Sequence, residues 1–312
     1  MRVFVAGSGG AIGKALIPLL VNTGHIVTAL TRSESKSYQI RSLGANPVVA
    51  DALDKNALLD AVRRARPEAV IHQLTAIPPR VNIKKFDDEF TLTNKLRTLA
   101  TDYLVEAARE AGATRFIAQS FAGWNYARTD GTIKTEDDPL DPHPPEMQRR
   151  TLDAIRRLEK AVLDAKDLHG VALRYGAFYG PETSISANGF IVEEVRHRRF
   201  PIIGRGTGVW SFIHIEDAAS ATVAALRNGS PGIYNIVDDD PAPVSEWLPY
   251  LAAAVGAKPP LRVPAIIGRL VVGEVGVSFM TQVRGASNAK AGRELLWRPK
   301  WRSWRDGFRR GL

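Results

Sequence analysis

The chain has 312 residues and no cysteine, which excludes a disulfide framework, a thiolate nucleophile and any cysteine-based metal site. Forty-two Lys and Arg against 33 Asp and Glu give a formal charge of +9, an excess that an anionic substrate or cofactor would use. The apolar start at residues 2–6 is too short for a secretory signal, and Arg269 and Glu274 interrupt the longest apolar stretch, Pro264 to Met280, so a cytoplasmic protein is expected.

The first element is a strand, Val3 to Ala6, turning through Gly7, Gly10 and Gly13 directly into an amphipathic helix. Gly7 permits the tight exit from the strand, Gly10 lets the backbone approach a pyrophosphate, and Gly13 lets the helix pack closely on the sheet. Ala11 and Ile12 then open a helix N-terminus whose free N–H groups favour phosphate. This is a dinucleotide-binding turn.

Strand and helix signals alternate from there. Strands are predicted at Ile26–Leu30, Pro47–Ala50, Ala69–Ile71, Arg115–Ala118 and Val171–Leu173, with helices at Ser37–Leu43, Asn56–Ala65, Thr91–Ala111 and Met147–Ala165. Repeated units of this kind predict an α/β fold, a doubly wound parallel sheet with a smaller C-terminal substrate-binding region. Beyond residue 181 helices are expected at Phe190–Arg198, Val244–Val255 and Ala265–Gly276, while Phe212–His214, a helix over Glu216–Leu226 and Gly232–Ile236 read as a return to the main sheet. The expected division is 1–181, rejoined by 210–237, for the nucleotide domain, and 182–209 with 238–312 for the smaller region. The acidic, proline-rich Glu136–Pro145 reads as a surface loop. Trp297, Trp301, Trp304 and Phe308 recur at helical spacing among arginines, which predicts a docked terminal segment rather than a nucleic-acid-binding one.

Together these pieces resemble the extended short-chain dehydrogenase/reductases, specifically the NAD-dependent epimerase/dehydratase group. Besides the glycine turn, the resemblance rests on Ala50–Asp54, Val70-Ile71-His72, Leu104–Gly112, Leu173-Arg174 leading to Phe178–Pro181, Phe212–Ala219 and Gly232–Asn235. It implies a Rossmann fold, a nicotinamide cofactor and a small-molecule substrate, with no membrane or nucleic-acid partner and the question of a homodimer open.

An NAD enzyme usually carries an acid at the end of the second strand; this chain carries Thr31-Arg32-Ser33, with Lys36 one turn on. A guanidinium there binds a 2′-phosphate, so NADP is expected, with NAD the alternative. The resemblance gives Asp51 and Ala52 to the adenine side, although Asp51 also reads as a helix-start residue. His72, at the end of the fourth strand, reads as a core or cofactor-lining histidine.

At the reaction centre the sequence departs from the family. The resemblance calls for a Tyr and, four residues later, a Lys that lowers the phenol's pKa and holds the nicotinamide ribose; Thr151 and Ile155 stand there, and Phe121 stands in place of the catalytic serine. Ser120, Tyr126 and Tyr175 are the candidate catalytic substitutes, Tyr175 also lying where the family holds the carboxamide end of nicotinamide; the alternatives are a strand-end hydroxyl and two packing aromatics. His214 with Glu216 and Asp217 reads as a helix start, and no metal is expected. Asn188, Arg205 and Trp210 are candidate substrate contacts or plain loop residues. The expected function is hydride transfer between NADP(H) and a carbonyl or carbinol carbon; the alternative is a non-catalytic NADP-binding regulator on the same fold.

Overall fold

The structure, a computed structural model, describes residues 1–312. Seven strands, β1 (Arg2–Ala6), β2 (Ile26–Thr31), β3 (Asn46–Val49), β4 (Ala69–His72), β5 (Arg115–Phe121), β6 (His169–Tyr175) and β7 (Gly232–Ile236), form one all-parallel sheet. Their spatial order is β7-β6-β5-β4-β1-β2-β3. This is a Rossmann-type α/β fold, and its strand order reverses between β1 and β4, which opens a crevice at their carboxyl ends.

Period-two alternation sends successive side chains to opposite faces, so the sheet has two cores. Val3, Val5, Ile71, Ile117 and Leu173 meet Leu16, Ile17 and Leu20 of α1 (Ala11–Asn22). Phe4, Ala6, Val70, Phe116 and Ala118 meet Leu58 and Val62 of α2 (Lys55–Ala65), Leu104 of α3 (Thr101–Glu110) and Leu158 and Val162 of α4 (Arg149–Asp164). A third apolar cluster, built on Trp247, Phe212, Trp304 and Phe308, holds the smaller region. No helix is long and apolar enough to cross a membrane.

Three expectations need correction. Phe212–His214 does not join the main sheet: it pairs in parallel with Ala177–Tyr179 in a separate two-stranded ribbon, and only β7 extends the sheet, beside β6. The helix expected over Thr91–Ala111 is interrupted by a π turn at Leu96–Ala100. The helix expected to end at Gly276 runs over Ala265–Thr281 and kinks at Gly273, whose φ of 72° breaks the helical backbone.

At the C-terminus only Trp304–Arg310 is helical, yet the aromatic residues do dock: Trp297, Trp304 and Phe308 are buried. The arginines among them turn outward, with Arg302 on Asp239 at 2.8 Å and Arg305 on Asp240 and Glu246. The segment also closes on the helix Ile215–Asn228, since the amides of Lys300 and Trp301 both donate to Asp217 at 2.8 Å.

Candidate active site

The glycine turn is shaped by what its missing Cβ atoms would strike. A Cβ on Gly7 would collide with the Gln73 carbonyl beyond β4, and Gly7 has φ of +100°; one on Gly13 would lie 2.5 Å from the Gly7 carbonyl oxygen. Gly10 differs: its backbone is extended (φ −84°, ψ 170°), and a Cβ there would meet nothing closer than 3.7 Å. Sequence and packing therefore explain Gly7 and Gly13, whereas Gly10 faces open space at the N-terminus of α1, the cradle a pyrophosphate requires. The structure fits a dinucleotide.

At the end of β2 Arg32 is exposed, Ser33 is half-buried, and Lys36 brings its Nζ within 3.7 Å of where a Gly9 Cβ would stand. These groups gather positive charge and hydroxyls beside the turn. Asp51 uses one carboxylate oxygen to accept the Leu53 amide at 3.0 Å, a turn contact, and leaves the side chain exposed at the end of β3. Ala52 is buried in the core beneath it.

His72 is not available to a ligand. It is 1 % exposed, its Nδ1 accepts from the Leu74 amide at 3.2 Å and its Nε2 lies 3.0 Å from the Thr101 hydroxyl. Thr101 donates to the Arg97 carbonyl, so its oxygen is the acceptor and Nε2 carries the proton. Burial pushes the imidazole pKa down to about 4, which keeps the ring neutral.

The three catalytic substitutes are likewise enclosed. The Tyr175 phenol is fully buried, within 2.7 Å of the Thr222 hydroxyl and accepting from Gln73 at 3.2 Å; burial pushes its pKa up to about 12. The Tyr126 phenol donates to Asn235 at 2.5 Å and accepts from Arg174 at 3.0 Å, with its pKa again raised to about 12 by burial. Ser120 donates to Glu159 at 2.6 Å, and Arg174 grips both oxygens of Glu159 at 2.7 Å. Ser120, Glu159, Arg174, Tyr126 and Asn235 thus form one buried polar chain that ties β5, β6 and β7 to α4. Its members hold each other rather than a substrate.

Thr151, Ile155 and Phe121, the positions that the resemblance sets against the family's Tyr, Lys and Ser, present no proton donor to the crevice. Thr151 is fully buried, its hydroxyl donating to Asp87 at 2.6 Å and accepting from Asn94 at 3.1 Å, while Asp87 also takes the amides of Arg150 and Thr151 at the start of α4. Ile155 and Phe121 belong to an apolar cluster with Phe86, Phe90, Trp124, Val275 and Phe279. Beside it lies a small, half-open apolar pocket lined among others by Phe121, Trp124, Trp210, Phe279 and Val283. Trp210 is held by its indole N–H on the Phe279 carbonyl at 2.9 Å. Of the other candidates, His214 is committed to the Glu216 amide and, at 3.0 Å, to the Gly311 carbonyl. Asn188 and Arg205 do not line this pocket.

Sequence reasoning missed Phe86, Trp124 and Phe279 as one aromatic set, and it missed Arg97, which is 5 % exposed on the π turn. The available signal was a basic residue four before Thr101 and seven before Leu104, on the stripe that faces the core.

The model of the NAD dependent epimerase/dehydratase family matches residues 3–237. The chain belongs to that family. A 3-diazoavenalumate denitrifying reductase from a Streptomyces species is 42% identical over 311 residues, covering 99% of this chain and all of the relative. A 2-alkyl-3-oxoalkanoate reductase from Stenotrophomonas maltophilia is 29% identical over 265 residues, 82% of this chain and 76% of the relative. Among solved structures, UDP-glucose 4-epimerase from Thermotoga maritima superposes with a TM-score of 0.78 at 20% identity, over 99% and 96% of the two chains. The human epimerase family protein SDR39U1, solved with NADPH, gives 0.75 at 20% identity, over 99% and 98%. These likenesses describe a reductase and epimerase family on a common fold.

Proposed function

We propose that this protein is an NADPH-dependent reductase of an aromatic diazo compound in its diazonium form, releasing dinitrogen. The observation that carries the reading is the set Phe121, Thr151 and Ile155, which leaves the reaction centre without an acid. Reduction of a ketone places a negative charge on oxygen and calls for a proton donor of suitable pKa. An arenediazonium ion that gains a hydride and loses N₂ becomes a neutral arene: one C–N bond breaks, one C–H bond forms, and charge balances without a proton. The 42% identical relative is named for reductive removal of nitrogen from a diazo substrate, which supports the same chemistry.

The dinucleotide would lie along the Gly7–Gly13 turn, with the amides of Ala11 and Ile12 toward the pyrophosphate, Arg32, Ser33 and Lys36 toward a 2′-phosphate, and Asp51 toward the adenine. Bound there, a reduced nicotinamide supplies a hydride. The apolar walls of Phe121, Trp124, Trp210 and Phe279 favour a flat aromatic guest. Their π faces also attract a cationic substrate, each well-placed ring contributing about 0.5–2 kcal/mol.

The test is anaerobic turnover of ¹⁵N-labelled arenediazonium carboxylates with NADPH, following nucleotide absorbance and labelled N₂ by mass spectrometry. A panel of ketones and aldehydes runs in parallel. Stoichiometric N₂ with little carbonyl reduction is expected. Brisk ketone reduction without N₂ release would refute the reading, and nucleotide binding without any turnover would favour a non-catalytic NADP-binding regulator.

A further inference from the structure

Arg97 is a feature of the site that the polar chain described above does not absorb. It sits on the π turn Leu96–Ala100, is 5 % exposed, and has its Nη1 enclosed without a hydrogen-bond partner. The acid whose charge it feels, Glu159, is already taken at both oxygens by Arg174 and at one also by Ser120. A buried guanidinium left without a counter-charge is costly, and a π turn inserted in a helix is often found at functional sites.

Its place in the fold indicates what completes it. The Arg97 carbonyl accepts from Thr101, whose oxygen meets His72 at the end of β4, so Arg97 lies one helical turn beyond the carboxyl end of that strand. Its charge is felt both at His72 and by Glu159, which reaches Ser120 on β5. On one side, β4 adjoins β1 and the glycine turn, where Gly7 abuts Gln73; on the other, β5 runs out through Phe121 into the aromatic pocket. A dinucleotide with its pyrophosphate on the turn and its reactive ring at the pocket must pass between them. Two further orphans belong to this region: the buried Oε1 of Gln73 and Oδ1 of Asn94 have no donor. One unpaired donor group and two unpaired acceptors match a ribose with its adjoining phosphate.

We infer that Arg97 binds the nicotinamide-side ribose and phosphate of the dinucleotide, supplying the positive charge that a lysine at position 155 would bring. The inference rests on the cofactor assignment made above, but not on the diazo substrate. Arg97 acts here as a binding and positioning residue.

The experiment is calorimetric titration with NADPH and with 2′,5′-ADP, which lacks the nicotinamide half, on the wild type and on Arg97→Met, Arg97→Lys and Arg32→Ala. Arg97→Met is expected to weaken NADPH at least tenfold and leave 2′,5′-ADP within twofold, with Arg97→Lys recovering part of the loss. Arg32→Ala should weaken both ligands. Wild-type NADPH affinity in Arg97→Met, or equal losses for both ligands, would overturn the inference. Should Arg97→Met not fold, Arg97→Lys decides: an NADPH-selective loss supports the assignment, and unchanged NADPH affinity overturns it. A wild type that binds neither ligand would overturn the cofactor assignment, and this inference with it.

Discussion

Tyr126→Phe separates a structural phenol from a catalytic one. Removing the hydroxyl takes the acceptor from Arg174 Nη1 and the donor from Asn235 Oδ1, both enclosed, while the Asn235 amide nitrogen already lacks a partner. Leaving two buried polar groups unsatisfied costs about 2–4 kcal/mol. Unfolding entropy near 2.1 cal/mol/K per residue gives roughly 0.65 kcal/mol/K for a chain of this length, so Tm should fall by about 3–6 °C. Thermal melts followed by circular dichroism measure this, alongside NADPH titration and single-turnover rates, both of which should stay within about twofold of wild type. A wild-type Tm combined with a hundredfold slower turnover would refute the reasoning and return Tyr126 to the chemistry.

Gly10→Val should keep the wild-type melting temperature, because the extended backbone accepts a branched residue and the space is open, yet abolish NADPH binding by calorimetry; Gly13→Ala, whose Cβ would meet two carbonyl oxygens, should instead lose stability. Arg32→Asp should reverse a preference of NADPH over NADH, with a lost guanidinium–phosphate contact and a new repulsion together costing on the order of 2–4 kcal/mol in fluorescence titrations. His72 has a folded pKa of about 4, below its unfolded value, so between pH 6.5 and 4 the unfolded chain binds the extra proton. Its contribution is fully present above pH 6.5 and lost as pH falls toward 4, on the order of 3 kcal/mol in total, and urea midpoints at pH 7.5 and 5 should show a decline that His72→Gln flattens.

The sheet was legible because its signals are local. Alternating apolar runs, the glycines at 7, 10 and 13, and helices of clear period mark β1 to β6 within a few residues. The catalytic substitutes were not legible. Ser120, Tyr126 and Tyr175 each stand near the right strand end, but whether a side chain faces the crevice depends on partners 39 to 109 residues away: Glu159 for Ser120, Thr222 for Tyr175 and Asn235 for Tyr126. No spacing rule carries that information. The π turn was hidden for a related reason, since Leu96–Ala100 has ordinary helical composition and its setting, packed against α4, is not local in sequence.

The burial of Thr151 and Ile155 also constrains what can stand at these positions. A tyrosine at 151 would need the space and hydrogen bonds now shared by Asp87 and Asn94, and Asp87 at the same time anchors the first amides of α4. A lysine at 155 would place an ammonium among Phe90, Trp124 and Leu152. Each substitution alone is expected to lower stability. This wall of the crevice is therefore set by packing as much as by chemistry, and a phenol or an ammonium could be installed there only together with changes at Asp87, Asn94 or the aromatic cluster.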